Sequence, residues 1–409
     1  MIPFSPPRID QLIIDEVIDT LKSGWITTGP KTKLFEKKLT AYGGHKATLC
    51  VNSASAGLEL VLRWFGVKEG DEVIIPAYTY AATANVVIHC GAKPVFVDIN
   101  DDFNISVAAI EKAITSKTKV IMPVDLGGFP CDFDEINMLV NKKDIVTLFK
   151  AETDEQKQLG RILILSDAAH SIGGIYKNKK VGSLTDITVY SFHAVKNLTT
   201  SEGGAICLNL NNEFDNEEIY KYLNTKSLHG QNKDALAKTQ IGNWKYDIVE
   251  AGYKCNMTDI LASIGLVELD RYDKDMLVKR KHIFDLYTEM LSQYKWAQIP
   301  EYSNVTKSSS FHVFLLRIKG ISEQERDEII SEIFNAEVSV NVHFVPLPMM
   351  SYYKNLGYKI KDYPKAYDNY SREISLPVYY DLTDENVQTV VSAVANAVDI
   401  VINKNHLTA

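Results

Sequence analysis

Seven short, almost uninterrupted apolar runs in the first half of the chain restrict its fold more than any other feature. They are ATLCVN (47–52), DEVIIP (71–76), KPVFVD (93–98), KVIMPVD (119–125), RILILSD (161–167), DITVYSF (186–192) and GAICLN (204–209). A strand with one wet face alternates apolar and polar side chains, whereas a strand without alternation is covered on both faces. Helix-forming segments lie between the runs, so the pattern predicts an α/β fold with a mainly parallel sheet between helices. SASAGLELVLRWFG (53–66) opens on serine and small residues, and AATANVVIHCG (81–91) stops at Gly91, as helix starts and ends do. Before the first strand, residues 9–22 place Ile9, Leu12, Ile13 and Val17 on one helical face. A loop follows (SGWITTGPK, 23–31), then a second helix through Leu34, Phe35, Leu39 and Tyr42. The charged stretch 142–160 is expected to add a surface helix ahead of the strand that ends at Asp167.

A chain of 409 residues exceeds what one core usually supports. The pattern changes after about residue 262, to a long charged helix and then shorter mixed elements. The expected division is therefore a large α/β domain, 1–262, and a smaller C-terminal α+β domain, 263–409. In the last helix Thr383 is the N-cap, and Val387, Val391, Val394 and Val398 form the buried face.

With 45% hydrophobic and 23% charged residues the composition is that of a soluble globular protein. The net charge of −8 comes without a basic stripe, which argues against nucleic acid as partner. The five cysteines (Cys50, Cys90, Cys131, Cys207, Cys255) are far apart, have no metal-ligand spacing, and are expected as buried thiols in a reducing compartment. The N-terminus lacks the pattern of a signal peptide, and no apolar run approaches the roughly 20 residues that span a bilayer. A cytoplasmic protein with no metal and no membrane partner is expected.

Asp167 ends a buried strand, where open parallel sheets place their ligands, although an Asp there is equally a helix N-cap. Lys196, in YSFHAVKNLTTSEGGAI, follows the next strand, between apolar Val195 and Leu198. Taken alone, a lysine is usually a surface cation. In such surroundings, however, its ammonium form is disfavoured and a free amine becomes available. The two residues lie one strand–connection–strand unit apart. Together they meet two needs of pyridoxal phosphate: an amine to form the Schiff base and a carboxylate to keep the pyridine nitrogen protonated. The third need is a phosphate site. Ser53, Ala54 and Ser55 begin a helix after a strand, and Ser191 can add a hydroxyl. In PAYTYAA, Tyr78 reads as core and Tyr80 as a ring to stack on the cofactor.

At this point the chain resembles the DegT/DnrJ/StrS family of pyridoxal-phosphate-dependent nucleotide-sugar aminotransferases, of the aspartate aminotransferase type I fold. The resemblance rests on GWITTGPKTKLFEKKL, VNSASAGLELVL, GDEVIIPAYTYAATANVV, GAKPVFVDI, SDAAHSIGG, YSFHAVKNLTTSEGG and GYKCNMTDILASIGLVEL, which occur in the family's order. It implies Lys196 as the Schiff-base lysine, Asp167 at the pyridine nitrogen, His170 near the ring hydroxyl and Tyr80 stacked. It also implies Ala54, Ser55 and Ser191 at the phosphate. Lys254 and Asn256 of GYKCNM fall where the family reaches the neighbouring subunit's phosphate, so a homodimer with interfacial sites is implied. Trp25, Thr28 and His343 fall on the substrate side. In HFVPLPMM, Pro348 stands where a second histidine is common. The implied reaction moves an amino group from glutamate to C3 or C4 of a nucleotide-linked keto sugar. The alternatives are a dehydratase, whose members usually carry His at the lysine position, a non-catalytic regulatory member, and an aminotransferase acting on a cyclitol.

Overall fold

The computed structural model of the protein describes residues 1–233 and 245–408. Its strands are β1 (Ala47–Val51), β2 (Glu72–Pro76), β3 (Lys93–Val97), β4 (Thr118–Ile121), β5 (Leu163–Asp167), β6 (Ile175–Tyr176) and β7 (Lys179–Lys180). They continue with β8 (Ile187–Ser191), β9 (Gly204–Leu208), β10 (Ala297–Gln298), β11 (Lys307–Ser308), β12 (Phe314–Ile318) and β13 (Glu373–Leu376). The seven apolar runs are the seven strands of one sheet, in the order β1-β9-β8-β5-β4-β2-β3. Only β9 runs against the others, pairing antiparallel with both β1 and β8. The run at 119–125 is longer than its strand: β4 stops at Ile121, but Met122 N still donates to Ile74 O and Val124 forms a parallel bridge with Asp167. The sheet is mainly parallel and covered on both faces, as unbroken apolar runs require.

This topology gathers the carboxyl ends of β1, β8, β5, β4 and β2 at one edge. Helix α1 (Gln11–Ser23) and helix α2 (Pro30–Gly43) precede the sheet, α3 (Ala54–Trp64) leaves the end of β1, and α4 (Ala81–His89) follows β2. Ser53 caps α3, its Oγ accepting from Ala56 N at 3.1 Å. The expected surface helix at 142–160 is instead two short helices, Lys143–Leu148 and Asp154–Leu159. Buried Gln156 explains why the second helix is held in: its Nε2 donates to Phe65 O at 2.8 Å and its Oε1 accepts from Glu152 N at 2.9 Å.

The expected long charged helix starts at Asp259 and runs to Leu291, with a π turn at Tyr272–Met276. A second, antiparallel sheet (β10-β12-β13) shares a core with helices Leu277–Leu291, Glu323–Asn335 and Asp384–Thr408. Thr383 caps the last of these, accepting from Asn386 N, and Val387, Val391, Val394 and Val398 are buried. All five cysteines are free and buried. Among the described residues no helix is long and apolar enough to cross a membrane, and no cluster could hold a metal ion.

Of the apolar face expected on α1, Ile13 is buried and Val17 half-buried, but Ile9 and Leu12 are exposed. Ile18, Leu21, Ile26 and Leu34 are exposed with them. The start of α2 is fastened by one carboxylate. Buried Asp259 accepts from Gly29 N at 2.8 Å, Lys31 N at 3.0 Å, Thr32 N at 2.9 Å and Thr32 Oγ1 at 2.7 Å. These are the N–H groups at the start of α2, which lack intrahelical acceptors. Asp259→Ala leaves them unpartnered in the interior and should cost about 3 kcal/mol. Urea unfolding followed by circular dichroism should show a correspondingly lower midpoint for this variant.

Candidate active site

A cavity of about 500 Å³ opens at the gathered strand ends. Of the residues singled out from the sequence, Ala54, Ser55, Tyr80, Asp167, His170, Ser191, Lys196 and His343 line it. Trp25, Thr28, Lys254 and Asn256 do not line it within one chain. Three of these four form a cluster of their own: Trp25 Nε1 donates to Thr28 O at 3.1 Å, and Asn256 Nδ2 donates to Thr28 Oγ1 at 2.5 Å. Lys254 is exposed.

Asp167 is not a helix N-cap. The residue is buried at the end of β5, its Oδ2 accepting from Thr83 Oγ1 at 2.9 Å and its Oδ1 from Ala169 N at 3.2 Å. Burial raises its pKa above the usual carboxylate value, while those two donors and the Lys196 charge act the other way. Lys196 stands on the connection between β8 and β9, and burial pulls its pKa down to about 8 against the opposing pull of Asp167. The amine is therefore far easier to deprotonate than a surface lysine.

Opposite them, the N-terminus of α3 faces the cavity. Ser53 takes the N–H groups of Ala56 and Gly57, so those of Ala54 and Ser55 are left at the cavity wall. Gly204, which pairs with both Val51 and Ser191, lets this helix start come close: a Cβ there would stand 2.6 Å from Ala54 N. An anion at this point meets free backbone N–H groups and the positive end of the helix dipole.

His170 is buried, and its Nδ1 accepts from Gly127 N at 3.3 Å. Burial first, then the charge of Lys196, pushes its pKa well down, so the neutral ring carries its proton on Nε2. His343 also lines the cavity. Its Nδ1 lies 2.9 Å from Ser375 Oγ, which donates to buried Glu373 at 2.5 Å. Tyr80 is exposed at the mouth, its ring 5.6 Å from that of Phe344, and Tyr78 is core, as expected.

Thr83, His312, Asn341 and Phe344 were not legible as site residues. Thr83 offered a signal, a hydroxyl one helical turn after Thr79 in PAYTYAAT, and the two hydroxyls lie 2.9 Å apart. His312 and Asn341 come from the C-terminal half, where no motif marked them.

A depressed amine, a buried carboxylate and an anion-ready helix start on one parallel-sheet edge define a pyridoxal-phosphate-dependent transferase of the aspartate aminotransferase type. Residues 7–395 match the DegT/DnrJ/EryC1/StrS aminotransferase family, and the chain belongs to it. It is similar to Spr1654 of Streptococcus pneumoniae, a protein assigned as a sugar aminotransferase, whose structure has been solved. The form with pyridoxamine phosphate gives a TM-score of 0.94 at 48% identity, over 98% of this chain and 100% of that one. The pyridoxal-phosphate form gives 0.93 at 47%, over 98% and 99%. The spore coat polysaccharide biosynthesis protein SpsC of Bacillus subtilis is 36% identical over 97% of each chain. PseC of Helicobacter pylori, an aminotransferase involved in the biosynthesis of pseudoaminic acid, superposes with a TM-score of 0.85 at 26% identity, over 97% and 99%. The family's cofactor is pyridoxal phosphate, and the amine, carboxylate and helix start of this cavity fit it.

The lowered pKa of Lys196 carries a stability cost in the cofactor-free protein. The unfolded chain holds the extra proton between about pH 8 and 10.5, so the cost is full below pH 8 and is relieved as pH rises through that window. Lys196→Met should therefore stabilise the cofactor-free protein at pH 7 by about 2 kcal/mol, allowing for partial solvation of the amine. Urea midpoints measured at pH 7 and pH 10 should show the advantage shrinking at the higher pH.

Proposed function

We propose that the protein transfers an amino group from glutamate to C3 or C4 of a nucleotide-linked keto sugar, a 6-deoxy sugar of surface-polysaccharide or amino-sugar biosynthesis, in the cytoplasm. The observation that carries the reading is the meeting of Lys196, Asp167 and the start of α3 in one cavity. Sugar chemistry is supported by the similarity to Spr1654, SpsC and PseC. It is also supported by the cavity wall, where hydroxyl, amide and neutral imidazole groups outnumber charges and Lys196 is the one Lys or Arg among the described lining residues.

Pyridoxal phosphate, when bound, supplies an electron sink for the pair left as a proton departs from the amino-bearing carbon. Lys196 Nζ is the group that would hold the cofactor covalently. When displaced by the donor, it acts as the base that takes that proton and as the acid that returns it. Asp167 would face the pyridine nitrogen and keep it protonated. His170 would turn its Nε2–H to the ring hydroxyl, and Tyr80 would stack on the ring. Ala54, Ser55 and Ser191 would receive the phosphate. A second copy completes the site in this reading: Lys254 and Asn256 of each chain serve the neighbour's phosphate, with Trp25 and Thr28 beside them as a wall of its sugar pocket. The exposed apolar residues of the first two helices, Leu12, Ile18, Leu21 and Leu34 among them, support such a homodimer. His343 would meet the sugar.

The decisive measurement is the absorption spectrum of the protein with cofactor, wild type and Lys196→Ala, before and after glutamate. The wild type should lose its lysine-linked band to the aminated form, and a nucleotide-linked keto sugar should restore it. A band that persists in Lys196→Ala would remove the lysine assignment. Sedimentation velocity tests the assembly: the wild type should run as a dimer, and Leu12→Asp with Leu21→Asp should run as a monomer without transaminase activity.

A further inference from the structure

Four histidines line the cavity. His193 is exposed and faces Glu202 at 3.7 Å. Two of the others have their polarity fixed by partners that cannot change. Gly127 N only donates, so Nδ1 of His170 accepts and its proton is on Nε2. Asn197 Nδ2 donates to Ser310 O at 2.7 Å, which turns its Oδ1 to Nδ1 of His312, also at 2.7 Å. An amide oxygen only accepts, so His312 carries its proton on Nδ1 and its lone pair on Nε2. His343 has a partner of another kind. Its Nδ1 lies 2.9 Å from Ser375 Oγ, a hydroxyl able to donate or accept, and that oxygen lies 2.5 Å from Glu373 Oε1. The polarity of this ring is decided at the far end of the chain, by a carboxyl group.

Glu373 and Ser375 alternate with Ile374 and Leu376 along β13, so the polar pair shares one face while the apolar pair enters the core of the second sheet. Ser375 N donates to Asn341 O at 2.7 Å and Asn341 N to Ser375 O at 3.2 Å, which brings His343 alongside. His343 N donates to Glu373 Oε2 at 3.1 Å. Phe4 stacks on the imidazole, with ring centres 5.4 Å and planes 18° apart. Nδ1 is thereby held toward Ser375, and no protein hydrogen bond reaches Nε2 among the described residues.

Glu373 and Ser375 are wholly buried, and no ion pair reaches the carboxyl group among the described residues. Arg326 spends its Nε on Asp327 and its Nη1 on the carbonyls of Tyr370 and Glu373, and Arg317, opposite on β12, donates to Asn369 Oδ1. Tyr78 is the other titratable side chain whose field reaches it. Burial pushes Glu373 up to about 8, against the pull of Ser375, His343 N and the two arginines. Burial, with the charge of Lys196, pushes His343 down to about 4, so the ring stays neutral while the carboxyl group titrates.

With Glu373 ionised, Ser375 donates to Oε1, its oxygen accepts from Nδ1–H, and the cavity meets the Nε2 lone pair. With Glu373 protonated, Oε2 still accepts from His343 N, so the acid proton lies on Oε1 and goes to Ser375. Ser375 then donates to Nδ1, and the cavity meets Nε2–H. One proton lost from Nε2 to the cavity, with two passed along the chain, converts the second state into the first. We propose that Ser375 and Glu373 are positioning residues that set what His343 shows to the sugar: a donor for a keto oxygen in one charge state, an acceptor for a hydroxyl in the other. The inference rests on the proposed function in one respect, that the ligand His343 meets is a sugar.

The test is nitrogen-15 NMR of the full-length protein with pyridoxal phosphate bound, the His343 signals being assigned by their loss in His343→Asn. The wild type should show Nε2–H well below pH 8 and Nδ1–H well above it. Glu373→Gln should hold Nε2–H throughout, because His343 N requires the amide oxygen and leaves the amide N–H for Ser375. Ser375→Ala should abolish the inversion. A single tautomer from about pH 5 to about pH 10 in the wild type, or an inversion that survives in either variant, overturns the proposal. The wild-type result decides even if neither variant folds. In turnover of glutamate with a nucleotide-linked keto sugar, KM for the sugar should rise several-fold as pH passes 8 in the wild type and stay level in Glu373→Gln. Equal pH profiles overturn the contact with the sugar. A tautomer inversion found beside no turnover of any keto sugar removes the parent reading instead.

Discussion

The close approach at Gly204 is the contact on which the site depends. One antiparallel strand, β9, is wedged between two strands that run parallel to each other, and its first residue meets the last residues of both. Because Gly204 has no side chain, the start of α3 can lie directly against it. The helix end that can receive an anion and the connection that carries Lys196 are thereby set side by side by backbone pairing alone. Side chains refine that placement without creating it.

The desolvation that makes Lys196 useful is shared with its neighbours. Removing the amine from water disfavours its charge, and the same dry surroundings keep His170, His312 and His343 neutral. The result is a site whose hydrogen-bond polarity is set by tautomers. His170 shows a proton and His312 a lone pair, each dictated by a fixed partner on the far side of its ring. Neutral groups of fixed polarity discriminate donors from acceptors in a ligand without holding a competing charge beside the lysine.

Much of this was legible beforehand because the responsible signals are local. Unbroken apolar runs gave all seven strands of the main sheet, and a carboxylate or lysine at the end of such a run points to the ligand edge. The 142–160 stretch was harder: its charge and helix propensity are plain, but the seat of its second helix depends on Gln156 reaching the distant carbonyl of Phe65. His312 was invisible for a related reason. Its neighbours are serines and phenylalanines in no motif, and its importance comes from Arg280, Asn197 and Gly127, which converge from three separate parts of the chain. The exposed face of α1 shows the opposite limit. Helical periodicity found its apolar stripe, but periodicity does not say what covers a stripe.

The helix from Asp259 to Leu291 joins two places that otherwise have little to do with each other. Its first residue gathers the backbone at the start of α2, and Arg280, past the π turn, clasps the carbonyls beside His312. It is therefore a connecting rod between the N-terminal arm and the C-terminal wall of the cavity. The wall that carries His312 and the loop that holds Trp25 and Thr28 are thus seated on one helical run, with the π turn at Tyr272–Met276, where the regular bonding pattern is interrupted, between the two anchor points.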